Sequence, residues 1–147
     1  ILWRHCEAEP GEPDLGRRLT SKGVKQAERM AAWLDAHLPD TCRILASPAD
    51  RAQQTVLALK RRFKTVPELA PGASVANVLA AANWPDSREP VLIVGHQPSI
   101  GAVASFLLSG EEAYWSVRKG AVWWLSNRAK ERGASVVLKV VLGPDFA

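Results

Sequence analysis

Short apolar runs alternate with longer stretches of helical periodicity along this chain. Ile1 to Trp3 is apolar and stops at Arg4-His5, which predicts a short strand. Pro10, Gly11, Pro13 and Gly16 break the polar segment that follows into a loop. Thr20 then has the character of an N-cap, and Val24, Ala27, Met30, Ala31 and Leu34 recur at helical spacing. That pattern predicts a helix to about His37, with Pro39 beyond its end. Arg43 to Ala46 predicts a second strand. Ser47-Pro48-Ala49-Asp50 reads as a helix start, with Ser47 as the cap, Pro48 at the first helical position, and the helix running to about Phe63. Thr65 to Leu69 reads as a third strand and Ser74 to Ala82 as a short helix. Val91 to Val94 has the composition of a buried strand and ends at Gly95-His96, ahead of a helix over Pro98 to Leu108. Two closing strands are predicted, Ala121 to Ser126 and Ser135 to Leu142, with Asn127 to Gly133 as their connection.

Strands separated by helices predict an α/β fold: a three-layer sandwich, with a largely parallel central sheet and helices on both faces. A hairpin of the last two strands would make the sheet mixed. Residues 1–147 are expected to form one domain, in keeping with the length.

Ligands of such folds sit beyond the carboxyl ends of the strands. The first strand ends in Arg4-His5, the second leads into a helix carrying Arg51 near its start, and the buried strand ends in Gly95-His96. If these strands run parallel, two arginines and two histidines converge on one rim. Guanidinium forks and helix N-termini both suit phosphate oxygens. An unprotonated imidazole nitrogen can attack a phosphoryl group. The joint arrangement carries this inference, since each residue alone has an ordinary structural explanation.

Charge changes the picture little. A net charge of +4 invites a nucleic-acid reading, but the basic residues are scattered and the densest cluster, Lys60 to Arg62 with Lys64, fits a solvated helix end. No apolar run approaches the ~20 residues that span a bilayer, and the opening residues lack the pattern of a secretory signal. Cys6 and Cys42 make neither a disulfide framework nor a zinc pattern, so a reducing cytoplasm is the expected setting. No metal or cofactor site is expected, and a monomer is the expected state.

Several segments resemble signatures of the histidine phosphatase superfamily. Leu2-Trp3-Arg4-His5-Cys6 is similar to its Arg-His-Gly motif, and Leu19-Thr20-Ser21-Lys22-Gly23 with Gln26-Ala27 to its first-helix start. Ser47 to Thr55 resembles its second signature, and Val94-Gly95-His96-Gln97-Pro98 its distal histidine motif. The short length, Pro67 to Pro71, and Lys119-Gly120-Ala121 resemble the compact phosphohistidine phosphatases of the SixA type. The resemblance implies that His5 is the nucleophile, and that Arg4, Arg51 and His96 hold the phosphoryl oxygens. It implies no metal. Cys6 departs from the motif's glycine. Either any small residue fits there, or a thiol beside the nucleophile makes activity sensitive to oxidation.

The leaving group bears on the substrate. An alkoxide needs an acid, whereas imidazole leaves readily, its conjugate acid having a pKa of about 6.5. Glu68, in Pro-Glu-Leu after the third strand, is the acid candidate suggested by the resemblance, with a surface charge as its alternative. Glu7 and Glu9 lie nearer the nucleophile in sequence. The link from Arg51 to His96 leaves little room for a lid, which suits phosphohistidine displayed on a partner protein. The alternatives are a phosphomonoesterase of small phosphorylated substrates, a noncatalytic binder of phosphorylated ligands and, last, a nucleic-acid module.

Overall fold

The computed structural model describes residues 1–130 and 133–147, with side chains described for all of these except 128–130 and 133–134. Six strands form one sheet in the order β3-β2-β4-β1-β5-β6: β1 (Leu2–Arg4), β2 (Arg43–Ala46), β3 (Lys64–Thr65), β4 (Val91–Gly95), β5 (Val122–Lys130) and β6 (Gly133–Leu142). The first four run parallel, and β5 joins β1 antiparallel and forms a hairpin with β6. The sheet is therefore largely parallel and mixed, as the alternation of elements predicts.

Side-chain alternation sends each strand's residues to two cores. Leu2, Leu45, Val91 and Ile93 pack beneath α3 (Val75–Ala81) and α4 (Ser99–Ser109), with Val78, Ile100 and Val103. Trp3, Ile44, Ala46, Leu92 and Val94 face α1 (Ser21–His37) and α2 (Asp50–Leu57), with Met30, Leu34 and Val56. β4 is buried along its whole length, which accounts for its unbroken apolar sequence.

α1 starts where Thr20 accepts the Gly23 N–H at 2.9 Å. Val24, one of its apolar positions, is 40% exposed. Gly23 takes the inward place instead, and a Cβ there would strike the Glu7 carbonyl. This glycine lets the helix seat directly on the loop that leaves β1.

Three elements differ from expectation. α2 begins at Asp50 after Ala49, so Ser47 is no cap and Pro48 is outside the helix. It ends at Leu57 rather than near Phe63, because tightened turns lead to Lys60 at φ 55°. The third strand keeps only Lys64–Thr65, and Pro67–Leu69 turns into a 3₁₀ helix closed by Leu69 N–H on Val66 O at 3.0 Å. The connection read over Asn127 to Gly133 is strand through Lys130 and again from Gly133; residues 131 and 132 lie outside the described residues.

Trp123 packs toward the α3–α4 core and Trp124 toward the α1–α2 core, so the two neighbours serve opposite faces of the sheet. Trp33 meets Trp124 edge-on, with ring centroids 6.3 Å apart.

Candidate active site

Sheet register brings the candidate residues level. Arg4 pairs with Gly95 and Val94 with Ala46, and Ala46 pairs in turn with Thr65. Each chain then leaves the sheet with one more backbone bond: His5 N–H to Gly95 O at 3.0 Å, Ser47 N–H to Val94 O at 3.0 Å, and Val66 N–H to Ala46 O at 2.9 Å. His5, His96 and Ser47 therefore emerge together at the carboxyl edge. The His5 and His96 rings lie 5.1 Å apart, tilted by 53°.

His5 has a fixed tautomer. Its Nδ1 sits 2.8 Å from the Cys6 carbonyl, which can only accept, so Nδ1 carries the proton. The lone pair then belongs to Nε2. Burial pushes the His5 pKa down to about 4, with Arg51, Arg4 and Arg17 adding to the fall and the Cys6 bond opposing it. Burial, then His5 and Arg51, push His96 down to about 3. Both rings are neutral near pH 7.

The arginines are held at their tips. Arg4 Nη1 donates to Val117 O at 2.6 Å. Arg51, from the first turn of α2, donates through Nη1 to Asp14 O at 2.8 Å and through Nη2 to Asp14 Oδ2 at 3.1 Å. Burial draws the Arg4 pKa down. His96 Nε2 stands 2.7 Å from Ser47 Oγ. Among the described residues, the buried side-chain nitrogens and oxygens without a hydrogen-bond partner are Arg4 Nε, Arg51 Nε and His96 Nδ1. Such atoms are costly at about 1–3 kcal/mol each, and here all three belong to this one rim. An oxyanion is the ligand that two guanidinium groups and an imidazole would satisfy together.

The turns around the rim are tied to it by side chains of α1 and α2. Thr55 Oγ1 accepts the Cys6 N–H at 3.1 Å and donates to Arg51 O at 2.8 Å. Gln54 accepts the Leu19 N–H at 2.7 Å, Gln26 accepts the Glu7 N–H at 3.0 Å, and Gln53 donates to Ser47 O at 2.8 Å. Cys6 is wholly buried beside Leu19 and Ala27. Burial pushes its pKa up to about 12, so it is a thiol and not a thiolate.

The acids lie at the margin. Glu68 is exposed in the 3₁₀ turn that follows β3, on the same edge of the sheet. Glu7 bonds with Thr20 at 3.4 Å and pairs with Lys22 at 3.7 Å, and Glu9 is exposed. Asp14 and Ser47, both unrecognised as site residues from sequence, touch Arg51 and His96 directly. A cleft opens beside Arg4, with Lys22, Arg118, Lys119 and Phe146 in its lining. Among the described residues no group of three His, Cys, Asp or Glu side chains could hold a metal ion, and no helix is long and apolar enough to cross a membrane.

Residues 1–74 match the histidine phosphatase superfamily (branch 1). The chain belongs to the histidine phosphatase superfamily. Within that class it is 32% identical over 120 residues to the phosphohistidine phosphatase SixA of Escherichia coli K12, which covers 76% of this chain and 74% of that protein. A SixA homolog from Haemophilus influenzae is 33% identical over 149 aligned positions, covering 88% of this chain and 90% of the other. Among solved structures, the protein histidine phosphatase SixA complexed with tungstate is similar over 98% of this chain and 96% of that one, with a TM-score of 0.74 and 26% identity.

Proposed function

We propose that this protein is a phosphatase that removes phosphate from phosphohistidine on a partner protein, through a phosphohistidine formed at Nε2 of its own His5. The observation that carries the reading is the convergence of Arg4 Nε, Arg51 Nε and His96 Nδ1, each buried without a partner, around a neutral His5.

The chemistry follows from these groups. The His5 Nε2 lone pair attacks phosphorus in line with the departing nitrogen, so one P–N bond forms as another breaks. The substrate imidazole leaves with its electron pair. Arg4 and Arg51 offset the charge on the phosphoryl oxygens, and His96 takes a third position on them. Water then attacks the His5-bound phosphorus, and both of its protons leave with the phosphate. The P–N bond breaks, inorganic phosphate departs, and His5 regains its lone pair. The His5 Nδ1–H keeps donating to the Cys6 carbonyl throughout, which keeps the ring oriented.

The two SixA relatives and the tungstate complex support this choice of substrate, tungstate being a phosphate-like oxyanion. So does the position of the acids. Glu68 is exposed, and an imidazole leaving group has little need of a proton donor. The basic cleft beside Arg4 suits a protein surface bearing the phosphorylated residue.

The test is phosphate release from a histidine-phosphorylated carrier protein, comparing the native chain with His5→Ala, beside an aryl phosphate. Rapid release that disappears in the variant is expected. His5-dependent release from the aryl phosphate alone would move the assignment to a small phosphomonoesterase. Inactivity on both substrates would leave a binder of phosphorylated ligands.

A further inference from the structure

We propose that Asp14 is a positioning residue for the oxyanion: it occupies the end of the Arg51 guanidinium and thereby presents that group's side to the phosphoryl site. The proposal rests on the reading of Arg51 as a phosphoryl ligand.

A guanidinium offers five N–H groups along fixed edges. Nη1 and Nη2 share the end of the fork, while Nε and the second hydrogen of Nη2 share one side. Asp14 fills the end by itself, taking Nη1 on its carbonyl at 2.8 Å and Nη2 on its carboxylate at 3.1 Å. Of the three N–H groups left, Nε–H and Nη2–H form a parallel fork of the geometry that grips two oxygens of one anion. Arg51 is only 4% exposed and its Nε has no partner, so water is a poor substitute.

Asp14 is itself aimed from behind. Arg17 Nη1 donates to its other carboxylate oxygen at 3.2 Å, and Arg17 Nε is anchored on the Glu9 carbonyl at 2.7 Å. The 3₁₀ turn Asp14–Gly16 holds the pair at the correct spacing. Arg17 and Arg51 keep the Asp14 carboxyl below its ordinary pKa, so the contact persists across neutral pH. Half of the Asp14 side chain is exposed, and exposed ion pairs add little to stability. The arrangement has its value in where it leaves the Arg51 fork.

A carboxylate near an anion site could instead repel the ligand or compete for Arg51. The two accounts differ in sign. Tungstate binding is measured by calorimetry for the native chain, Asp14→Ala, Asp14→Asn, Arg51→Ala and the Asp14→Ala/Arg51→Ala double variant, with thermal midpoints recorded alongside. Asp14→Ala is expected to weaken binding about tenfold, and Asp14→Asn by less than about threefold, because an amide oxygen still accepts from Nη2. The double variant should bind no more weakly than Arg51→Ala alone, since Asp14 acts through Arg51. Unchanged or tighter binding in Asp14→Ala, with binding lost in Arg51→Ala, would overturn the positioning role and leave the Arg51 reading intact. Losses that multiply in the double variant would overturn it as well. Unchanged binding in Arg51→Ala would overturn the reading of Arg51 on which this proposal stands.

Discussion

Ser47 Oγ accepts the Ala49 N–H at 3.2 Å while standing 2.7 Å from His96 Nε2. Ser47 is buried, and among the described residues His96 Nε2 is the partner of its hydroxyl that can accept a proton, the Ala49 amide being a donor. The His96 proton then belongs on Nδ1, the ring atom that lacks a partner. Ser47→Ala should release the tautomer and lower kcat/KM by roughly tenfold to a hundredfold, with little change in thermal midpoint. Nitrogen chemical shifts of His96 would check the assignment directly, with protonated Nδ1 in the native chain and a tautomer mixture in the variant.

The histidines set an acid limit. Burial holds His5 at about 4 and His96 at about 3, below the unfolded value near 6.5. Between those values the unfolded chain binds protons that the native chain does not, so stability falls as pH drops from 6.5 toward 4 and continues to fall toward 3 for His96. Denaturant titrations at pH 7, 5.5 and 4.5 should show this order. Arg51→Gln removes one of the charges that depress His5, so His5 should titrate closer to 6.5 in that variant, as read from its ring-proton shifts.

Cys6 gives a negative expectation for oxidation. With the thiol fully buried and its pKa pushed up to about 12, brief exposure of the native protein to iodoacetamide should leave activity intact. Mass spectrometry should find Cys6 labelled only after unfolding. Cys6→Gly keeps the backbone that supports His5 but empties a place beside Leu19 and Ala27, and should cost about 1 kcal/mol of stability.

As a proton donor, Glu68 would separate substrates by leaving group. Glu68→Gln should leave phosphohistidine turnover within about twofold of native, while an alkyl phosphate, if turned over at all, should slow by about 10²-fold or more. Equal losses on both would assign Glu68 to binding rather than to proton donation.

Much of this site can be read from strand ends. Arg4, His5 and His96 each follow an apolar run, and parallel strands deliver such residues to one edge. Ser47 was harder, because Ser-Pro-x-Asp is also the pattern of a capped helix. Its hydroxyl turns to His96, 49 residues away, once the helix starts two residues later. Asp14 lies in a loop without periodicity and meets Arg51 across 37 residues, with only the Asp-x-x-Arg spacing as a local signal. The third strand shrank for a physical reason: Pro67 has no N–H to give a ladder, and an edge position lets the chain turn early.

β4 lies between β1 and β2, so the strand that leads to His5 never touches the strand that leads to Arg51. A growing chain carries both from its earliest stages, yet neither edge of β1 has a neighbour until residues 91–95 and 122–123 are made. The parallel ladder must wait for its middle strand, which makes formation of the sheet a non-local and late event. The two arginines and two histidines meet only when that strand inserts. An incomplete chain therefore has the His5 imidazole without the residues that surround it in the finished fold, and the completion of the fold and the birth of the site are the same step.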